Sequence, residues 1–153
     1  MDLAWLAAEL VDRLPANRTL GLIIVELRDG QARARLPVRE GVRKVIGALH
    51  SRGVAALADA AALAAALSLA PDEALARRLE PLGVQARLSF QRPVQGTALA
   101  TCDPGAEARA PIAGLFAGRE ERARFTTLTV IDGDQSPGAA EGEFGWVARL
   151  APR

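Results

Sequence analysis

One carboxylate stands alone in the longest apolar stretch of the chain. Asp59 is the only charged residue between Val54 and Ala70. A charge in such surroundings is costly unless it is paired, hydrogen-bonded or at an interface. Two readings are open: Asp59 lies at a helix edge and meets solvent, or it is a catalytic carboxylate whose pKa an apolar site raises. The only histidine, His50, stands just ahead of the stretch and is followed by Ser51, Arg52 and Gly53. The start of a helix presents unpaired backbone N–H groups and a positive dipole end, which suit an oxyanion or a carbonyl oxygen. His50 either serves that chemistry or is a capping or solvated histidine. Ser51 reads as an N-cap more readily than as a nucleophile, because no Gly-x-Ser-x-Gly context surrounds it and no Ser-His-Asp triad has independent support. On one helix the separation of His50 and Asp59 amounts to about 900°, so they face opposite ways. A site that uses both is shared across a two-fold interface.

The rest of the composition narrows the chemistry. The 153 residues are enough for one ordinary domain, with 50% hydrophobic and 24% charged residues. Nineteen basic residues against eighteen acidic ones leave a formal +1, which gives no sign of a bulk nucleic-acid binder. One cysteine, Cys102, excludes an intramolecular disulfide and any multi-cysteine metal site, and one histidine excludes multi-histidine zinc sites. Alanine is about a fifth of the chain and all basic residues but Lys44 are arginine, a coding bias of a GC-rich genome. The segment Met1 to Leu14 carries Asp2, Glu9 and Asp12 and lacks the basic start of a secretory signal, and the apolar run is too alanine-rich to span a bilayer. A cytoplasmic protein is expected, with no metal, no cofactor, no nucleic-acid partner and no membrane partner.

The elements that must position these residues follow from periodicity. Leu3, Leu6, Ala7, Leu10, Val11 and Leu14 recur at helical spacing, with Pro15 as a stop and Asn17 to Gly21 as a connector. Gly21 to Leu27 and the alternating Ala32, Ala34 and Leu36 form a hairpin about Asp29-Gly30. A loop from Val38 to Leu49 carries the basic pair Arg43-Lys44. Val54 to Ala70 is a buried helix, apolar all round and ended by Pro71. Asp72 to Glu80 is a short polar helix or a linker. Val84, Ala86, Leu88 and Phe90 alternate with polar residues in a strand, and Thr97 to Cys102 is the next. Asp103 to Arg119 is rich in Gly, Pro and Ala and gives no clear element. Arg122 to Ile131 is a strand, Asp132-Gly133-Asp134 a turn, and Gly142 to Leu150 the last strand. One buried helix with a run of antiparallel strands predicts an α+β fold in which the sheet curls around the helix. The outer edge of that sheet needs a partner, which predicts a homodimer or a dimer of dimers.

The stretch Leu49-His50-Ser51-Arg52-Gly53-Val54-Ala55-Ala56-Leu57-Ala58-Asp59 resembles the His-Gly-Gly-…-Leu-Ala-Asp stretch of the hotdog-fold acyl-CoA thioesterases of the phenylacetate-pathway type. Arg92-Pro93 stands where those proteins have a similar turn after a strand. Arg43-Lys44-Val45-Ile46-Gly47-Ala48-Leu49-His50 is similar to a segment of an uncharacterised branch of that superfamily. The resemblance covers residues 1–102 well and the remainder loosely. It implies a single hotdog domain over 1–153 and hydrolysis of an acyl-CoA thioester, with the amides of Gly53 and its neighbours on the carbonyl. His50 would orient the thioester, Asp59 would act as base or nucleophile, and Arg92 would either meet coenzyme A phosphates or be a surface arginine. Ser51 and Arg52 replace the two glycines of the pattern, and Arg52 would point to solvent, to a phosphate or to a carboxylate such as Asp59 of the other subunit. A non-catalytic acyl-CoA binding protein is the alternative.

Overall fold

The structure, a computed structural model, describes residues 2–12, 14–28, 30–40, 43–44 and 47–152. Asp29 of the expected hairpin turn and Gly41, Val45 and Ile46 of the loop lie outside the described residues.

The sequence encloses one helix. α3 (Ser51–Leu67) has nine alanines among its seventeen residues and buries eleven of them. Its small side chains let a sheet approach closely, and it packs against β1 (Ile23–Arg28), β2 (Gln31–Leu36), β4 (Ala98–Cys102), β5 (Ala123–Gly133) and β6 (Ser136–Leu150). With β3 (Leu79–Phe90) these make a six-stranded antiparallel sheet in the order β1-β2-β4-β5-β6-β3. This is the hotdog arrangement that the resemblance implied. Along β5 the burial alternates strictly, with Ala123, Phe125, Thr127, Thr129 and Ile131 turned inward. Trp146 on β6 stacks between Phe125 and Phe144 and donates its indole N–H to Thr127 Oγ1 at 2.9 Å. A buried polar pair is thereby satisfied inside the aromatic layer. Cys102 is free and buried in the same core.

Several boundaries differ from the sequence reading for identifiable reasons. The first helical segment does end ahead of Pro15, and Pro15 also begins a second helix, α2 (Pro15–Leu20), because proline's fixed φ and missing N–H cost nothing in a first turn. The connector expected at Asn17 to Gly21 is therefore mostly helical, and Asn17 is buried with its side-chain amide donating to Leu10 O at 2.7 Å. Ahead of it α1 (Leu3–Ala7) passes into a π-helical turn over Ala8–Asp12. α3 ends at Leu67, four residues before Pro71. A short helix, α4 (Glu73–Ala76), follows, with Asp72 as its cap. The indistinct stretch after Cys102 contains α5 (Gly105–Phe116), which tolerates Pro111 by packing Ile112, Leu115 and Phe116 into the core. β5 runs through the expected turn residues Asp132 and Gly133, and the hairpin turns at Asp134-Gln135, with Gly133 opposite Ser136.

β3 is a different kind of strand. It pairs with β6 on one side only, and most of its side chains are exposed on both faces. Leu82, Val84 and Phe90 are 65%, 55% and 48% exposed. No helix is long and apolar enough to cross a membrane.

The sheet comes close to the helix at Gly142, where a Cβ would stand 2.9 Å from Ala58 Cβ and 3.0 Å from a Phe144 ring carbon. Gly142→Val is expected to destabilise the protein by about 1–3 kcal/mol through overpacking. Chemical denaturation monitored by Trp146 fluorescence measures it, and an unchanged midpoint would contradict this packing.

Candidate functional site

His50 is the N-cap of α3. It has an extended backbone, φ −69° and ψ 145°, and its Nδ1 accepts the Arg52 N–H at 3.2 Å. The cap is thus His50 and not Ser51, which is the first helical residue. The imidazole does at this helix start what a Ser or Asp side chain does elsewhere. The loop leading to it is pinned by two backbone bonds, Lys44 N–H to Ala48 O at 2.7 Å and Leu49 N–H to Val94 O at 2.8 Å. The second bond brings the segment after β3, which carries Arg92, against the start of α3.

The first-turn amides are not equivalent. Gly53 N–H donates to His50 O at 2.8 Å and Arg52 N–H to the His50 ring. Ser51 N–H has no acceptor among the described residues, so it is the donor open to a ligand oxygen. Gly53 itself is buried, and a Cβ there would stand 2.8 Å from Leu49 Cδ1 and 3.4 Å from Leu36 Cδ2. Its lack of a side chain is needed for packing. Arg52 is exposed, with no ion-pair partner among the described residues. A cation in the first turn opposes the helix dipole, so Arg52 adds to the positive potential there at some cost to the helix.

Asp59 lies two turns further on. Arg52, Ala55, Ala56, Asp59 and Leu63 recur at helical spacing and are the incompletely buried positions of one face, a stripe that the sheet leaves open. Asp59 has no hydrogen-bond or ion-pair partner among the described residues, and burial pushes its carboxyl up to about 6. The turn that carries it is held from behind, where Thr129 Oγ1 donates to Ala58 O at 3.4 Å. Arg52 and Asp59 share the stripe but stand about 10 Å apart along the axis, and no ion pair joins them within the chain. No hydrogen bond joins His50 to Asp59 either. Within one chain the two expected catalytic residues remain apart.

Arg92 is exposed and lines a cleft of about 270 Å³ together with Lys44, Leu49, Phe90 and Val94. Lys44 was outside the expected site. It stands forty-eight positions from Arg92, and the Leu49–Val94 bond ties their two segments together. Neither cation has an ion-pair partner among the described residues. Among the described residues no group of three or more His, Cys, Asp or Glu side chains is placed to hold a metal ion.

No family model and no curated protein matches the chain. Solved structures do. A Pseudomonas aeruginosa protein of unknown function, named a probable thioesterase, superposes with a TM-score of 0.79 at 22% identity over 98% of this chain and 97% of its own. A thioesterase from Haemophilus influenzae gives 0.75 at 17% identity, covering 100% and 94%. A thioesterase family protein from Silicibacter pomeroyi gives 0.73 at 17% identity, covering 98% and 100%. The chain shares their fold along its whole length.

The raised Asp59 pKa has a consequence for stability. The folded state holds this proton up to about pH 6, whereas an unfolded carboxyl releases it near 3.8. Stability contributed by the neutral form is therefore complete below about pH 4 and is lost as pH rises through 6. Asp59→Asn is expected to stabilise the protein at pH 8 by about 1–3 kcal/mol, discounted for the partly open side, and by much less at pH 4. Thermal melting at the two pH values tests this; an equal shift at both would mean that the carboxyl is not desolvated.

Proposed function

We propose that this chain is an acyl-CoA thioesterase of the hotdog superfamily, which hydrolyses a thioester to a free acid and coenzyme A. The observation that carries the proposal is Asp59, an unpaired, half-buried carboxylate held near pKa 6 on the one open stripe of the central helix. A carboxylate in that state is a stronger base than one in water and is still ionised at neutral pH. The helix start supplies the complementary half: a free Ser51 N–H, the positive dipole end and the unpaired Arg52.

Two copies of the chain bring the halves together. β3 offers an unpaired edge with exposed apolar side chains, and pairing it with β3 of a second copy supplies the missing hydrogen bonds. In such a dimer the helix start of one copy faces Asp59 of the other. The thioester carbonyl accepts from Ser51 N–H, with His50 holding the turn. Asp59 then takes a proton from water as it adds to the carbonyl carbon, or adds itself to form an anhydride that water opens. The tetrahedral species expels the thiolate, which recovers the proton, and water is the only co-reactant. Arg52, Lys44 and Arg92 attract the coenzyme A phosphates, whose charge these unpaired cations complement. This reading places the protein in the cytoplasm, where coenzyme A esters are made and used.

Release of free thiol from a panel of acyl-CoAs tests the reading. Turnover by the parent with loss of about 10²-fold or more in Asp59→Asn is expected, with kcat/KM rising with pH through about 6. Equal turnover in variant and parent removes Asp59 from the mechanism. Binding of acyl-CoA without thiol release would make the protein a binder, and Arg52→Gly then asks whether Arg52 blocks the site. In solution a homodimer or dimer of dimers is expected, with more than about 1,600 Å² buried in its interface. A monomer by light scattering at micromolar concentration would remove the shared site.

A further inference from the structure

The stripe of α3 that carries Asp59 continues past it to Leu63 and Leu67, and there it opens into a second cleft. Trp5, Leu10, Leu14, Leu63, Leu67 and Leu79 line it, with a volume of about 260 Å³. Four elements distinct in sequence form it: the helix α1 with its π turn, the C-terminal half of α3, the end of α4 and the beginning of β3. Its walls are mostly apolar, and its charged groups are confined to Glu9 and Arg77, which pair at 3.0 Å while the guanidinium lies 5.2 Å over the Trp5 ring, whose own indole N–H is buried without an acceptor among the described residues. That pair satisfies its own charges, so the cleft offers a ligand hydrocarbon contact and no free charge. The π turn at Ala8–Asp12, which carries Glu9 and Leu10, is a further mark, since such turns are frequent at functional sites.

We infer that this cleft takes the acyl chain of the thioester and that the acyl group is a medium-length aliphatic one. The inference rests on the thioesterase reading for the position of the reacting carbon and adds the substrate class. Leu63 is about 6 Å and Leu67 about 12 Å along the helix axis from Asp59, so a chain leaving the carbonyl carbon along the stripe runs directly into the cleft. The size follows by scaling. A cavity of roughly 150 Å³ lined by aliphatic side chains holds the six carbons of benzene, so about 260 Å³ holds about ten. The walls argue against a flat aromatic group. Trp5 is the one aromatic residue lining the cleft, and its face is already taken by Arg77.

Two measurements separate this inference from the activity on which it rests. The first is binding: bromodecanoate is expected to quench the fluorescence of Trp5, with the quenching absent in Trp5→Phe because Trp146 lies in the core. The second is selectivity: across a series of straight-chain acyl-CoAs, kcat/KM is expected to rise from four carbons to eight or ten and then fall. Leu63→Trp, which fills the cleft at a partly exposed position, should lower the decanoyl-to-butanoyl ratio at least tenfold. Quenching of Trp5 without thiol release from any acyl-CoA leaves the cleft assigned and overturns the thioesterase reading. Thiol release with no quenching, and with an unchanged ratio in Leu63→Trp, overturns the cleft and leaves the activity. A preference for aromatic over aliphatic acyl groups overturns the substrate class.

Discussion

A helix that is apolar on every side has to be enclosed, and the rest of this molecule answers that requirement. Apart from Arg52 and Asp59, α3 carries no charged residue that water could solvate, and its nine alanines offer little area individually. Burial of so many small side chains is effective only if the enclosing surface comes very near. The sheet does so through Gly142, which leaves room for Ala58, and through Thr129, which reaches the carbonyl of that same residue. The sheet does not cover the whole circumference. The uncovered remainder is the stripe on which Asp59 lies, so the position of the carboxylate follows from where enclosure stops.

Two opposing electrostatic effects act on Asp59, and their ranges decide between them. The positive end of α3 favours the carboxylate, but that effect fades within the first turn, and Asp59 is two turns from the cap. Desolvation acts at the residue itself, and the carboxyl rises to about 6. At the helix start no carboxylate among the described residues offsets the positive potential. Arg52, Lys44 and Arg92 add to it without carboxylates to neutralise them, so one helix carries a basic carboxylate in its middle and an anion-seeking region at its start.

The sequence made much of this legible where a local signal coincided with a tertiary one. The alternation of Val84, Ala86, Leu88 and Phe90 is a strand in the structure, and the apolar run around Asp59 is the central helix. Asp29-Gly30 gave the hairpin because a left-handed residue is needed there, and Gly30 has φ 85°. Other elements were hidden because one residue type serves opposite ends. Proline signals a helix end in sequence, yet Pro15 opens α2 and Pro111 sits inside α5, where packing outweighs the lost hydrogen bond. Alanine and glycine in α5 give little periodic contrast, so its buried face was invisible without β5 beside it. The same holds at the candidate site. Asp59 and His50 are conspicuous as lone polar residues, but Lys44 and Arg92 share a cleft through a backbone bond between distant segments. The cleft beyond Leu63 depends on a π turn that no sequence period announces.

The scarcity of lysine gives the cleft beside His50 a chemical individuality. Eighteen of the nineteen basic side chains are guanidinium groups, inert towards acylating and aldehyde reagents, and the remaining one is the exposed amine of Lys44. Nucleophilic amine chemistry on the side chains of this protein therefore has a single address, on the rim where Arg92 and the helix cap meet. A spectroscopic label, a cross-linker or an acyl group delivered to that amine reports on one cleft without engineering a unique residue into the chain.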